Sequence, residues 1–120
     1  MQGIHLTLLS RQCILLEPGT SLNPAKPEQY ADEIITFLQK NRSLGLIYDL
    51  KDISLIDKTY FNWLNYLHTL CCLNNTIMVT VNMSPSAAYG LSLFMDKFPD
   101  FKTALSVEDA RKHIVMKKEG

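Results

Sequence analysis

Net charge is the first thing this sequence lacks: twelve Lys and Arg residues balance twelve Asp and Glu. With no overall field, neither phosphate backbones nor anionic lipid surfaces are attracted, and nucleic acid is not an expected partner. Long apolar runs are missing too. None approaches the roughly 18 residues needed to cross a bilayer, and no basic segment leads into an apolar stretch with a small-residue cleavage site. The protein is therefore expected to stay in the cytoplasm. Cysteine is scarce, with three residues of which Cys71 and Cys72 are adjacent. An odd count excludes the framework of a small secreted disulfide scaffold and fits a reducing compartment. The Asn-x-Ser/Thr matches at Asn41, Asn74 and Asn82 then carry no expectation of glycosylation.

Glycine is also sparse, with five residues scattered at positions 3, 19, 45, 90 and 120. No glycine-rich phosphate cradle and no nucleophile elbow can be assembled from them, so nucleotide binding and acyl-transfer chemistry have no local support. His5, His68 and His113 lie far apart, and none stands at a zinc-ligand spacing from a cysteine or carboxylate. No metal or other cofactor is expected. Adjacent helical side chains point about 100° apart, so Cys71 and Cys72 read as packing residues and not as a redox pair. The basic tail Arg111, Lys112, Lys117 and Lys118 has no interleaved aromatics and reads as the solvated face of a terminal helix.

What is present is the composition of one ordinary globular domain spanning 1–120, with 47% hydrophobic and 20% charged residues. Ile4 to Leu9 and Cys13 to Glu17 are short apolar segments separated by Ser10-Arg11-Gln12, which predicts two strands and a tight turn. Three prolines and a glycine then mark a connection as far as Pro27. Tyr30, Ile34, Phe37 and Leu38 recur at helical spacing, with acidic residues near the start and Lys40 and Arg42 near the end, as the helix dipole prefers. Leu44 to Leu50 is almost wholly apolar, the pattern of a strand buried on both faces. A second helix is expected over Tyr60 to Leu73, with Tyr60, Leu64, Leu67 and Cys71 on one face and Asp57 as its cap.

Thr76 to Val81 is β-branched and reads as another inner strand. Ser84-Pro85 supplies an N-cap and a first helical residue for a third helix carrying Ala87, Leu91, Phe94 and Phe98, which Pro99-Asp100 should end. Phe101 to Leu105 reads as a last strand. Ser106 with Asp109 resembles an acidic capping box for a final helix presenting Val107, Ala110, Ile114 and Val115. The order ββαβαβαβα predicts an α/β fold with a mixed sheet, largely parallel, carrying the first hairpin as an antiparallel edge.

Asp49, Asp52 and Asp57 form a carboxylate grouping near the end of a predicted parallel strand, where metal sites of phosphotransfer proteins are often built. Turn and cap chemistry is the favoured account of aspartates in such a loop, because their side chains bond nearby backbone amides and no phosphoacceptor pattern accompanies them. A small metal- or ligand-binding enzyme built on these three residues is one reading to be tested.

The stretch Leu46-Ile47-Tyr48-Asp49-Leu50-Lys51-Asp52-Ile53-Ser54-Leu55-Ile56-Asp57 is similar to the signature of STAS domains, an apolar strand ending in Asp-Leu, a turn, and an apolar pair before Asp at a helix start. Asn82-Met83-Ser84-Pro85 resembles the family's next strand-to-helix junction, and Lys102 to Ala110 its closing strand and helix. The short chain and its Thr-Ala-Leu ending most resemble the small stressosome scaffold and the anti-sigma-factor antagonists. The resemblance implies a non-catalytic, oligomeric signalling scaffold that sequesters a serine/threonine switch kinase and co-assembles with longer STAS paralogues. Alternatives within the family are a stand-alone anti-sigma-factor antagonist and a subunit of a lipid-transport complex.

The family places a phosphoaccepting Ser or Thr directly after the aspartate, and this sequence has Lys58 there. A phosphate at a helix start is favoured by free amides and the dipole, whereas an exposed lysine costs about 0.3–1 kcal/mol. Thr59, Ser54 and Ser86 are the hydroxyls that could take the acceptor's place. The expected contact surface is Asp57, Lys58 and Thr59, with Tyr60 and Trp63 as candidate aromatic anchors because such residues are enriched among interface hot spots, core packing being the alternative for both and the favoured one for Trp63.

Overall fold

A computed structural model describes residues 3–94 and 101–119. Its strands are β1 (Ile4–Leu8), β2 (Cys13–Pro18), β3 (Gly45–Asp49), β4 (Ile77–Val81) and β5 (Lys102–Ala104). Its helices are α1 (Glu28–Lys40), α2 (Lys58–Leu73), α3 (Pro85–Ser92) and α4 (Val107–Glu119). The strands lie side by side in the order β1-β2-β3-β4-β5. The β1 and β2 strands pair antiparallel and every later neighbour is parallel. The expected mixed α/β architecture is the observed one.

When strands are added to a sheet in chain order, right-handed crossovers put the connecting helices on one face and leave the other for whatever follows the last strand. The two apolar clusters have this division. Residues of α1, α2 and α3, among them Tyr30, Ile34, Trp63, Leu67 and Leu91, pack with Ile14, Leu16, Leu46, Tyr48 and Met78. On the opposite face Ala110 and Ile114 of α4 pack with Cys13, Ile47, Val79 and Val81. Alternate residues of the inner strands serve the two clusters, and all five residues of β3 are buried. This is why Leu44 to Leu50 lacks the alternating pattern of a half-exposed strand.

Gly45 opens β3 because α4 crosses directly above it. A Cβ at this position would lie 2.3 Å from Ile114 Cδ1 and 2.7 Å from both of its γ carbons. The tight turn between β1 and β2 contains no glycine, yet Arg11 and Gln12 both adopt positive φ, 62° and 59°. The side chain of Gln12 donates to the Arg42 carbonyl at 2.9 Å, which ties the turn to the end of α1.

The third helix is shorter than its apolar spacing predicts. Ala87 and Leu91 are buried on it, but it ends at Ser92, and Phe94 stacks on Phe61 from beyond its end with ring centroids 5.7 Å apart. Phe98, Pro99 and Asp100, expected to continue and then end that helix, lie outside the described residues. The last strand stops at Ala104, leaving Leu105 exposed, and Ser106 Oγ accepts from the Asp109 amide at 3.2 Å. Among the described residues no helix is long and apolar enough to cross a membrane.

Candidate functional site

The parallel strands β3 and β4 both end at one edge of the sheet, and the loops leaving them start α2 and α3. In α/β sheets this edge is where partners and ligands are met. Asp57 caps α2 in extended backbone, its Oδ1 accepting from the Tyr60 amide at 2.8 Å. Removing that oxygen should cost about 1 kcal/mol. Asp57→Ala is therefore expected to lower the thermal midpoint by a few degrees, measured by calorimetry, and an unchanged midpoint would show that the cap contributes nothing.

Lys58 and Thr59 follow in the first helical turn and both are exposed. That turn contains no acidic residue, and Lys58 has no ion-pair partner among the described residues. A positive side chain thus stands, without an ion-pair partner among the described residues, at the positive end of a helix dipole.

Tyr60 and Trp63 face the other way: of the two readings, core packing holds and the exposed anchor does not. Tyr60 is 8% and Trp63 0% exposed. Trp63 Nε1 donates to the Tyr48 hydroxyl at 2.8 Å, and that hydroxyl lies 2.5 Å from the Tyr60 hydroxyl. The indole also meets the Tyr30 ring edge-on, with centroids 5.5 Å apart. Burial pushes Tyr60 up to about 12 and raises Tyr48 well above the usual phenol range, so both phenols stay neutral hydrogen-bonding groups. The reason is positional: residue 63 falls three after Tyr60 and four before Leu67, on the apolar stripe of α2. Extending that stripe by one position would have assigned Trp63 to the core.

Exposed apolar groups on the loop before α2 and on α3 come from residues that the periodicity left aside. Leu55 in the loop before α2 is 64% exposed, and Tyr89 and Leu93 at α3 are 68% and 61% exposed. Gly90 lets α3 approach the loop: a Cβ there would lie 2.5 Å from the Ile56 carbonyl oxygen. Ser84 caps α3, accepting from the Ala87 amide at 3.1 Å, and its hydroxyl lies 3.4 Å from the Ile53 carbonyl. The loop after β3, the first turn of α2 and the start of α3 are thereby joined into one surface. Ser54 and Ser86 are exposed on it, as Thr59 is.

The three aspartates do not converge. Asp49 is buried, its Oδ1 accepting from the Lys51 amide at 2.9 Å and from Asn82 Nδ2 at 3.1 Å. It clasps the ends of β3 and β4, which is turn chemistry. With Asp52, His5, Glu17 and Lys51 it lines a cleft of about 350 Å³ in which Asp57 has no part. Lys51 lies 3.5 Å from Asp49 and 3.4 Å from Glu17, occupying the position a cation would take. Among the described residues no three His, Cys, Asp or Glu side chains are placed to hold a metal.

No protein-family model matches the sequence. A search of curated proteins finds no match either. Solved structures do match over nearly the whole chain. A chain from the molecular architecture of the stressosome, a signal integration and transduction hub, is 15% identical with a TM-score of 0.80, covering 97% of this chain and 100% of its own. A serine-to-glutamate variant of RsbS from Moorella thermoacetica is 14% identical with a TM-score of 0.77, covering 98% of both chains. An anti-sigma-factor antagonist (STAS) domain protein from Planctomyces limnophilus is 14% identical with a TM-score of 0.70, covering 93% and 97%. The fold read from the sequence as STAS-like is the fold these structures share with the chain.

Proposed function

We propose that this STAS-fold chain is a non-catalytic, cytoplasmic protein-binding component of a partner-switching complex. In this reading it sequesters a serine/threonine switch kinase and co-assembles with longer STAS paralogues. The observation that carries the reading is the surface at the start of α2. There Lys58 and Thr59 are exposed, Leu55 is exposed in the loop that leads into the helix, and Tyr89 is exposed on α3, which packs against that loop through Gly90 and Ile56. Scattered apolar side chains on a surface need no explanation, but exposed ones on the loop entering α2 and on the helix packed against that loop, in a chain with this fold, support protein contact. The neighbours described as stressosome and anti-sigma-factor antagonist proteins support the same class of function.

Lys58 sets the kind of switch. Lysine has no hydroxyl to accept phosphate, so the change of charge that phosphorylation brings cannot occur at that residue. The chain acts as a permanently unmodified scaffold, whose partners are released by changes in the longer paralogues. Affinity purification from the native cell, with mass-spectrometric mapping of phosphosites, tests this. The expected result is recovery of a serine/threonine kinase and longer STAS proteins, no phosphate on the wild-type chain, and phosphate on Lys58→Ser, because the helix start favours negative charge. Stoichiometric phosphate on wild-type Thr59, Ser54 or Ser86 would overturn the permanent-scaffold reading, and recovery of neither protein class would overturn the partner-switching one.

A further inference from the structure

The opposite edge of the sheet holds a second concentration of charge, assembled from residues that are far apart in the sequence. The β5 strand pairs with β4 only from Val79 onward, and below it a cleft of about 370 Å³ opens against Ile77 and Met78. Lys102 forms its rim, His68 on α2 stands on one side, and His113, Lys117 and Lys118 on α4 stand on the other. No Asp or Glu lines it among the described residues. Glu119, in the same turn as Lys117 and Lys118, is held away by Arg11 at 2.8 Å.

Helix ends account for only part of this charge. The last turns of α2 and α4 both reach the cleft, and each helix C-terminus carries roughly half a negative charge, together about one. Three lysines exceed that by about two. Lys118 donates to the Asn75 carbonyl at 2.6 Å, whereas Lys102 and Lys117 have no ion-pair partner among the described residues. His113 Nε2 is closed off from solvent without a hydrogen-bond partner. The nearby Cys72 thiol lies 3.4 Å from His68 Nε2, but with three lysines lining the cleft and no third ligand among the described residues the site is wrong for a cation.

We propose that this cleft binds a small phosphate-class oxyanion, held by Lys102, Lys117 and Lys118 with His68 and His113 as its polar walls. Ammonium groups beside imidazoles, round a concave site with no acidic lining among the described residues, are the groups that recognise such an anion. The inference is independent of the partner surface at the other end of the sheet.

The test is a titration of the full chain with inorganic phosphate and with pyrophosphate at fixed pH, followed by the NMR signals of the histidine rings. Sodium chloride at matched ionic strength is the control. Saturable shifts of His68 and His113 but not His5 are expected, weakened at least about tenfold by Lys102→Gln with Lys117→Gln and unchanged by Lys26→Gln with Lys40→Gln. Shifts that rise linearly, that chloride reproduces, or that survive the Lys102 and Lys117 changes would overturn the proposal. A reading without variants is chemical acetylation of the wild-type chain. Phosphate should protect Lys102 and Lys117 relative to Lys26 and Lys40, and equal modification with and without phosphate would refute the site.

Discussion

Trp63→Ala is expected to lower the free energy of unfolding by about 3–5 kcal/mol, among the largest losses a single substitution in this chain can cause. The indole is fully buried and meets the Tyr30 ring edge-on, so truncation opens a cavity between α1, α2 and the sheet. It also removes the donor to the Tyr48 hydroxyl, disturbing a buried chain that continues to Tyr60. Loss of a buried partner typically adds about 1–3 kcal/mol of desolvation cost. Against a total stability of about 5–15 kcal/mol, the variant should stand close to its folding threshold. Urea titration followed by far-ultraviolet circular dichroism measures the loss as a lower midpoint at unchanged slope. A loss below about 1 kcal/mol would mean that Trp63 is not the core residue described here.

The same residue shows where sequence pattern stops. Strand and helix order were legible because each element carries a local signature: the unbroken apolar run of β3, the Asp57 and Ser84 caps, and the period of α1 and α2. The sheet followed from that order through the handedness of crossovers. The candidate site was legible only in its backbone part. Asp57, Lys58 and Thr59 lie where a helix start was read, whereas for Tyr60 and Trp63 residue type pointed to a surface anchor and helical spacing to the core, and it is the core that holds them.

Leu55, Tyr89 and Leu93 could not be read because exposure of an apolar side chain is a tertiary fact. Residues off the periodic stripe become a shared surface only once Gly90 allows α3 to lie against Ile56. Gly45, whose need for space arises from Ile114, carries no local signal either. The basic cleft joins His68, Lys102, His113, Lys117 and Lys118 across three elements, and only the sheet order brings them together.

The second large effect is expected at that surface. Leu55→Glu together with Tyr89→Glu places two charges where a partner would desolvate apolar groups. Residues at the centre of an interface typically cost 2 kcal/mol or more when altered, which is at least about 30-fold in affinity. Both side chains are largely exposed, so the fold should not register the change: surface substitutions away from caps and cores usually stay within about 0.5 kcal/mol. Contact at this edge, without chemistry, is the central claim, and calorimetric titration of the purified chain with the kinase or longer STAS protein recovered from the native cell tests it directly. The account predicts saturable binding by the wild-type chain and at least about 30-fold weaker binding by the double variant, with the thermal midpoints of the two proteins alike. Equal affinity of wild type and double variant would contradict it.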